Sequence, residues 1–234
     1  MISKLFAGLP PGFSARVAMA MIAVPMSTSD GWLELKFNKI KPNVVERSET
    51  GTLVKVDGSA SPLIHGFGKI VQIDGFEAEV EISGSMNQME AWKDFEEDSL
   101  LRIGLVAEGP EKLGTMGSLF APEWVKRMFE LAPKGHGLDK IYFYSITSRA
   151  DLDGKSRQHP KSKFMHEQNA FLMPSQVGAT IGSTDAAAVK PVLVSVSRKF
   201  PKPIPAAGIW LSIDGDDSKS KFEVKIKSLR YSSP

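Results

Sequence analysis

The chain has 234 residues, of which 42% are hydrophobic and 24% charged, so it can bury a sizeable core and is not a disordered chain. It has no cysteine, which excludes disulfides, thiolate metal sites and cysteine nucleophiles. The formal charge of +2 lies entirely in residues 1–29, which carry Lys4 and Arg16 and no acid; the remainder balances 27 basic against 27 acidic residues. The folded part therefore lacks the basic excess of a nucleic-acid binder.

Residues 1–29 have a character of their own. Lys4 and Arg16 precede the apolar run Val17-Ala-Met-Ala-Met-Ile-Ala-Val24, and small polar residues follow at Ser27-Thr28-Ser29. A basic region, a short apolar stretch and small residues describe an export signal, whose removal is expected to leave a chain starting between Ser27 and Trp32. The alternative is a disordered tail, or a short helix packed on the domain, in a cytoplasmic protein. The run falls well short of the roughly 20 residues that span a bilayer, so no permanent membrane span is expected. Residues 30–234 are expected to form a single domain, periplasmic or secreted.

Period-2 alternation dominates from Trp32 onward. Leu33, Leu35 and Phe37 alternate with Glu34 and Lys36, and residues 53–56 form a short strand ending at Asp57-Gly58. Residues 69–73 read as a strand ending at Asp74-Gly75, a turn signal. Phe76, Ala78, Val80 and Ile82 then alternate with Glu77, Glu79 and Glu81. Residues 99–108 form a longer strand that stops at Gly109-Pro110. Within the next connection, residues 122–131 place Trp124, Met128 and Leu131 at helical spacing, between Pro122 and the Pro133/Gly135 stop signals. Residues 140–149 are rich in aromatic and β-branched residues, which suits a strand. Residues 151–166 read as a polar, mobile loop. Further strands are expected at 169–173, 191–197, 208–214 and 222–231. About ten strands and one short inserted helix predict an all-β fold, an antiparallel β-sandwich of jelly-roll type.

Strand parity separates two sets of residues. Leu101, Ile103 and Leu105 form a core set opposite Arg102 and Gly104. Ile141 and Phe143 alternate with Tyr142 and Tyr144, and Ile209, Leu211 and Ile213 with Trp210, Ser212 and Asp214. If these strands are neighbours, one face gathers Arg102, Tyr142, Tyr144, Trp210 and Glu79 as ligand-binding candidates. Sugar rings stack their C–H faces on aromatic rings, and their hydroxyls take arginine or carboxylate partners. The opposing expectation is that these rings fill a second hydrophobic layer.

Glu77, Glu79 and Glu81 are the catalytic candidates if the protein is an enzyme. Carboxylates two residues apart on a strand stand roughly 7 Å from each other, within the range of paired-carboxylate glycosidases. The row resembles the E-x-D-x-E strand of laminarinase-type jelly-roll glycosidases, with Glu79 in place of the central Asp. A solvated strand face gives the same alternation. Asp214, Asp216 and Asp217 alternate oxygens as a weak calcium candidate, but the terminal bidentate glutamate is missing. His65, His136, His159 and His166 show no zinc spacing. No metal and no cofactor is expected.

Five stretches carry a resemblance: residues 35–42 (LKFNKIKP), 76–83, 97–106 with Arg102 on a strand behind acids, 141–145, and 209–217 before a final strand. Their order resembles a family of exported bacterial domains of unknown function, β-sandwiches shaped like carbohydrate-binding modules. The chain departs from that family at Glu79 and Tyr144, where the family tends to tryptophan, and at Lys225 and Lys227, where it tends to acids. The resemblance implies a sandwich and an exported setting, and no activity. The expected function is an exported, non-catalytic β-sandwich that binds a glycan or another cell-envelope component. The alternatives are a glycan-active hydrolase or lyase, and an interaction protein without a small ligand.

Overall fold

The computed structural model describes residues 20–85, 98–147, 152–160, 162–172 and 191–234. Among the described residues, eleven strands and two short helices follow in chain order. The strands are β1 (Met21–Ala23), β2 (Trp32–Glu34), β3 (Val44–Ser48), β4 (Gly51–Asp57), β5 (Leu63–Ser85), β6 (Ser99–Gly109), β7 (Gly137–Thr147), β8 (Ser156–Gln158), β9 (Met165–Leu172), β10 (Val192–Asp214) and β11 (Lys221–Ser232). The helices α1 (Thr115–Phe120) and α2 (Glu123–Glu130) lie between β6 and β7. Hydrogen-bonded neighbours run β3-β4-β11-β5-β10-β6-β7-β9-β8, with β1 beside β11 and β2 beside β5. All pairs are antiparallel except β7 with β9.

The fold is all-β, a sandwich made by one sheet that doubles over. The first part of β10 pairs with the second part of β5, and both continue through a corner into the other layer. At the corner the pairing passes from Lys199↔Gly75 to Ile204↔Ile73, so residues 200–203 bulge opposite Asp74 alone. Pro201 and Pro203 fall in this bulge, where a missing N–H costs no ladder bond. Asp74-Gly75 is therefore no turn, and the two strands expected at 69–73 and 76–82 are one. Gly75 is needed for closeness: a Cβ there would meet the Arg198 carbonyl oxygen at 2.4 Å. The segments 191–197 and 208–214 likewise join into β10.

Inward residues of both layers share one buried cluster. Val54, Val80, Ile82, Val194, Val224 and Ile226 come from one layer and Ile73, Leu101, Ile103, Leu105, Ile209 and Leu211 from the other. Each such side chain contributes about 1.5–3 kcal/mol on burial. The acidic row of β5 and the basic residues of β11 face each other across a strand pair, Glu77 opposite Arg230 and Glu81 opposite Lys225.

A second cluster lies outside the β6/β7/β10 layer, where Met128 of α2, Leu35, Ile64, Val106, Ile141, Phe143 and Trp210 pack together. The helix expected at 122–131 is α2, capped by Pro122 and turning Val125 and Met128 inward. The shorter α1 precedes it and buries none of its residues. In the loop expected at 151–166, the described residues include β8, which pairs with β9.

Of the N-terminal segment, residues 21–23 form a strand rather than a short helix. This strand, β1, pairs Met21 with Ser232 and Ala23 with Arg230. Val24 and Met26 are each 5% exposed, within the main core, and the Thr52 hydroxyl donates to the Met26 carbonyl. Met26→Ala should cost about 2–4 kcal/mol, as large-to-small core substitutions do, measured by urea unfolding. A cost below 1 kcal/mol would show that this segment is not part of the folded core.

Candidate functional site

The outer face of the β6/β7/β9/β10 layer carries the chemistry. Register aligns Trp210 with Gly104, Gly104 with Phe143 and Phe143 with Glu167, one row across four strands. The next row aligns Ser212, Arg102, Ser145 and Asn169. The second row and Glu167 are polar and buried. Gly104 makes room in the first row, because a Cβ would lie 2.7 Å from both Phe143 Cε1 and Ile141 Cγ2.

Arg102 is the hinge of a buried charge chain. Its Nη1 donates to Asp214 Oδ2 at 3.0 Å, and its Nε lies 3.6 Å from Glu167 Oε1. Arg157 Nε donates to Glu167 Oε2 at 2.8 Å, and the Ser212 hydroxyl donates to Asp214 Oδ2 at 2.7 Å. The second oxygen of Asp214, Oδ1, is buried and has no hydrogen-bond partner among the described residues. Burial pushes the Asp214 carboxyl up to about 6; Arg102 and Ser212 oppose this, and Asp216 and Asp98 add to it. Burial also works to raise Glu167, but Arg102, Arg157 and His159 outweigh it and hold the group below the usual carboxylate range.

A cavity of about 400 Å³ opens beside this chain, lined by Arg102, Asp214, Ser212, Trp210, Trp124 and Phe143 among others. Phe37 and Ile40 add apolar wall, and His159 and Ser162 add polar groups. Trp124, carried by α2, stands edge-on to Trp210 with ring centroids 6.4 Å apart. Asp98, Asp216 and Asp217 form the acidic rim. The Asp98 carboxylate accepts from the backbone N–H groups of Asp217 (3.2 Å) and Ser218 (2.6 Å), which fixes the turn after β10. Burial, with Asp217 and Asp98 nearby, raises the Asp216 carboxyl as well.

Of the binding candidates from the sequence, Arg102 and Trp210 line this cavity and Tyr142, Tyr144 and Glu79 do not. Tyr144 points to the opposite side, into the main core, 5.6 Å from the Phe76 ring and 5.3 Å from Phe200, with the Arg198 guanidinium over it. Tyr142 packs at the edge of that core and its hydroxyl donates to Asp139 at 2.8 Å. Burial is the main cause that raises both phenols to about 12. Parity thus separates the faces of β7 as expected, but Phe143, not a tyrosine, meets the cavity. Glu79 and Glu81 lie 3.9 and 3.1 Å from Lys227 Nζ. With Glu77 they lie on a solvent-facing row, and none of the three lines the cavity. Asp214, Asp216 and Asp217 do line it, though no cluster of three or more metal-ligating side chains occurs among the described residues.

Sequence reasoning missed Trp124, Asp98, Glu167 and His159. Trp124 read as a core position of an amphipathic helix. Its one distinguishing signal was a place in the helix's first turn, where a ring can overhang the sheet.

The raised Asp214 carboxyl sets a pH dependence. Between its ordinary value of 3.8 and about 6 the folded chain holds the extra proton. This group's contribution to stability is therefore greatest near pH 4 and is lost as pH rises through 6, by on the order of 3 kcal/mol. Glu167 acts in the opposite sense, and its contribution is lost as pH falls below the usual carboxylate range. The stability of wild type relative to Asp214→Asn should fall by about 2–3 kcal/mol from pH 4 to pH 7 in urea titrations. A difference that is flat or rises with pH would contradict the buried setting of this group.

No protein-family model and no curated protein matches the chain. Among solved structures the chain is similar to a xylan-binding module, CBM15, at TM-score 0.37 and 11% identity over 92% of this chain and 97% of that one. It is also similar to the carbohydrate recognition domain of Emp47p, at TM-score 0.33 and 8% identity over 92% of this chain and 94% of that one. Both likenesses are distant.

Proposed function

We propose that the protein is an exported, non-catalytic β-sandwich that binds a glycan in the cavity beside Arg102. The observation that carries this reading is the composition of that cavity. The rings of Trp124, Trp210 and Phe143 meet the ion pair of Arg102 and Asp214 in one recess. Its volume of about 400 Å³ falls in the range of small-ligand sites, about 300–1,000 Å³. Aromatic walls suit the C–H faces of a sugar ring, and pre-oriented charged groups suit its hydroxyls.

The test is calorimetric titration with oligosaccharides from β-glucan, alginate and peptidoglycan. At least one should bind, and Trp124→Ala should weaken it about fivefold or more. Glu79→Gln, on the charged outer row, should change nothing. No binding by any member, or a Trp124→Ala variant that binds like wild type, would overturn the reading.

The raised Asp214 carboxyl, with Asp216 and Asp98 nearby, favours a second reading, a hydrolase that uses Asp214 as proton donor. Against it stands Arg102, whose hydrogen bond at 3.0 Å favours the ionised form. Reducing-end release from the same panel should therefore be absent. Release that Asp214→Asn abolishes, with the fold intact, would install the hydrolase.

Export is part of the proposal. The basic residues Lys4 and Arg16 ahead of the apolar run Val17–Val24 support it. Removal at Ser27–Trp32 would strip β1 together with the buried Val24 and Met26. Mass spectrometry of the native protein should find a periplasmic or secreted chain that retains Met21–Met26. An intact Met1 terminus in the cytoplasm would refute export.

A further inference from the structure

The glycan cavity carries an unbalanced negative charge. Among the described lining residues the carboxylates are Asp98, Asp214, Asp216 and Asp217, and the arginine is Arg102. Asp98 is engaged by two backbone N–H groups of the turn. Arg102 is shared between Asp214 and Glu167, and Arg157 pairs with Glu167 behind it. Lys219 lies near Asp216, with its ammonium bonded to the Asp216 carbonyl at 2.6 Å. Asp217 stands exposed at the rim. The sum leaves the mouth and the Asp214 side of the cavity acidic.

A second, independent feature points the same way. Asp214 is 8% exposed, lines the cavity, and leaves Oδ1 buried without a hydrogen-bond partner among the described residues. A buried carboxylate oxygen needs a donor. Carboxylates that repel one another in low dielectric gain most from a donor that is also a cation. Resting on the glycan-binding reading, we infer that the cavity selects an amino sugar, with the ammonium of the ring donating to Asp214 Oδ1 between Trp124 and the acidic rim, and that it rejects acidic sugars. A uronate or sulfated ring would set its anion against Asp214, Asp216 and Asp217. An N-acetylated ring keeps the stacking surface and loses the charge.

Three disaccharides of the same linkage separate the possibilities: one of glucosamine, its N-acetylated counterpart, and one containing glucuronic acid. Titrated at pH 7 against the whole chain, the glucosamine form should bind at least tenfold tighter than the N-acetylated form, and the glucuronate form should not bind detectably. Asp217→Asn, an exposed substitution that spares the fold, should reduce the amine preference about twofold to threefold. Asp214→Asn should abolish the preference while stacking-driven binding of the N-acetylated form remains. Binding of all three with similar affinity, or a preference for the glucuronate, would overturn the inference and leave the glycan reading standing. An amine preference untouched by both substitutions would overturn it too, since its source would lie elsewhere. Binding of none would remove the glycan reading and the inference together.

Discussion

Two strands of 23 residues each, β5 and β10, are paired from one end to the other. At about 3.3 Å per residue such a strand would run about 75 Å if straight. A compact chain of this length has a radius of gyration of only about 17 Å. The pair must therefore bend, and it does so where a bulge of four residues opposes Asp74. Everything else is added to that folded ribbon. Strands β3, β4 and β11 extend one arm, and β6, β7, β9 and β8 extend the other. The main core fills the space between the arms because the inward set switches parity along both strands, from Val71 and Ile73 to Phe76, Ala78, Val80 and Ile82 on β5, and from Val194 and Val196 to Ile209, Leu211 and Ile213 on β10.

The site follows from the opposite parity set on one arm. When Ile209, Leu211 and Ile213 face the main core, Trp210, Ser212 and Asp214 must face outward, and in-register neighbours bring Arg102, Phe143 and Glu167 to the same side. An outward face with this much apolar surface needs a cover. The connection between β6 and β7 supplies it as α2, whose Met128 is fully buried against the sheet. The cover is partial. It shields Trp210 at one end of the row and leaves a recess over Ser212 and Asp214, with Trp124 at the boundary.

Most strands were legible because half-buried strands alternate, and parity alone placed Arg102, Trp210 and Asp214 on one face. Three things were not legible, each for a physical reason. The corner at Gly75 carries Asp-Gly, the same dipeptide as a hairpin turn; which of the two it forms depends on whether β10 bulges opposite, a non-local fact. The two faces of β7 could not be ranked, because both are buried, one under α2 and one in the main core. Tyr144 and Phe143 are both large rings that such a buried face accepts, so the sequence reading assigned the binding face to the tyrosines. The parallel strand β9 brings Glu167 from a polar stretch with no pattern of its own, and its role appears only beside Arg102 and Arg157.

The charge chain Arg157–Glu167–Arg102–Asp214 is expensive to bury. Desolvation costs several kcal/mol per ion, and buried ion pairs are often no better for stability than well-packed apolar residues of the same volume. Arg102 is 8% exposed and Glu167 2%, so neither recovers much hydration. Main-core packing does not require them either, since Leu101, Ile103 and Leu105 on the same strand already fill that side. What the chain of charges does supply is order. Each carboxylate is held by a partner from a different strand, and β6, β8, β9 and β10 are thereby pinned at one level of the sheet. Two carboxylate oxygens of the chain, Glu167 Oε1 and Asp214 Oδ1, are buried without a hydrogen-bond partner among the described residues, and Asp214 is the one of the two that borders the cavity. A network built only for stability would close on itself; this one ends with an unfilled acceptor at the edge of an aromatic recess.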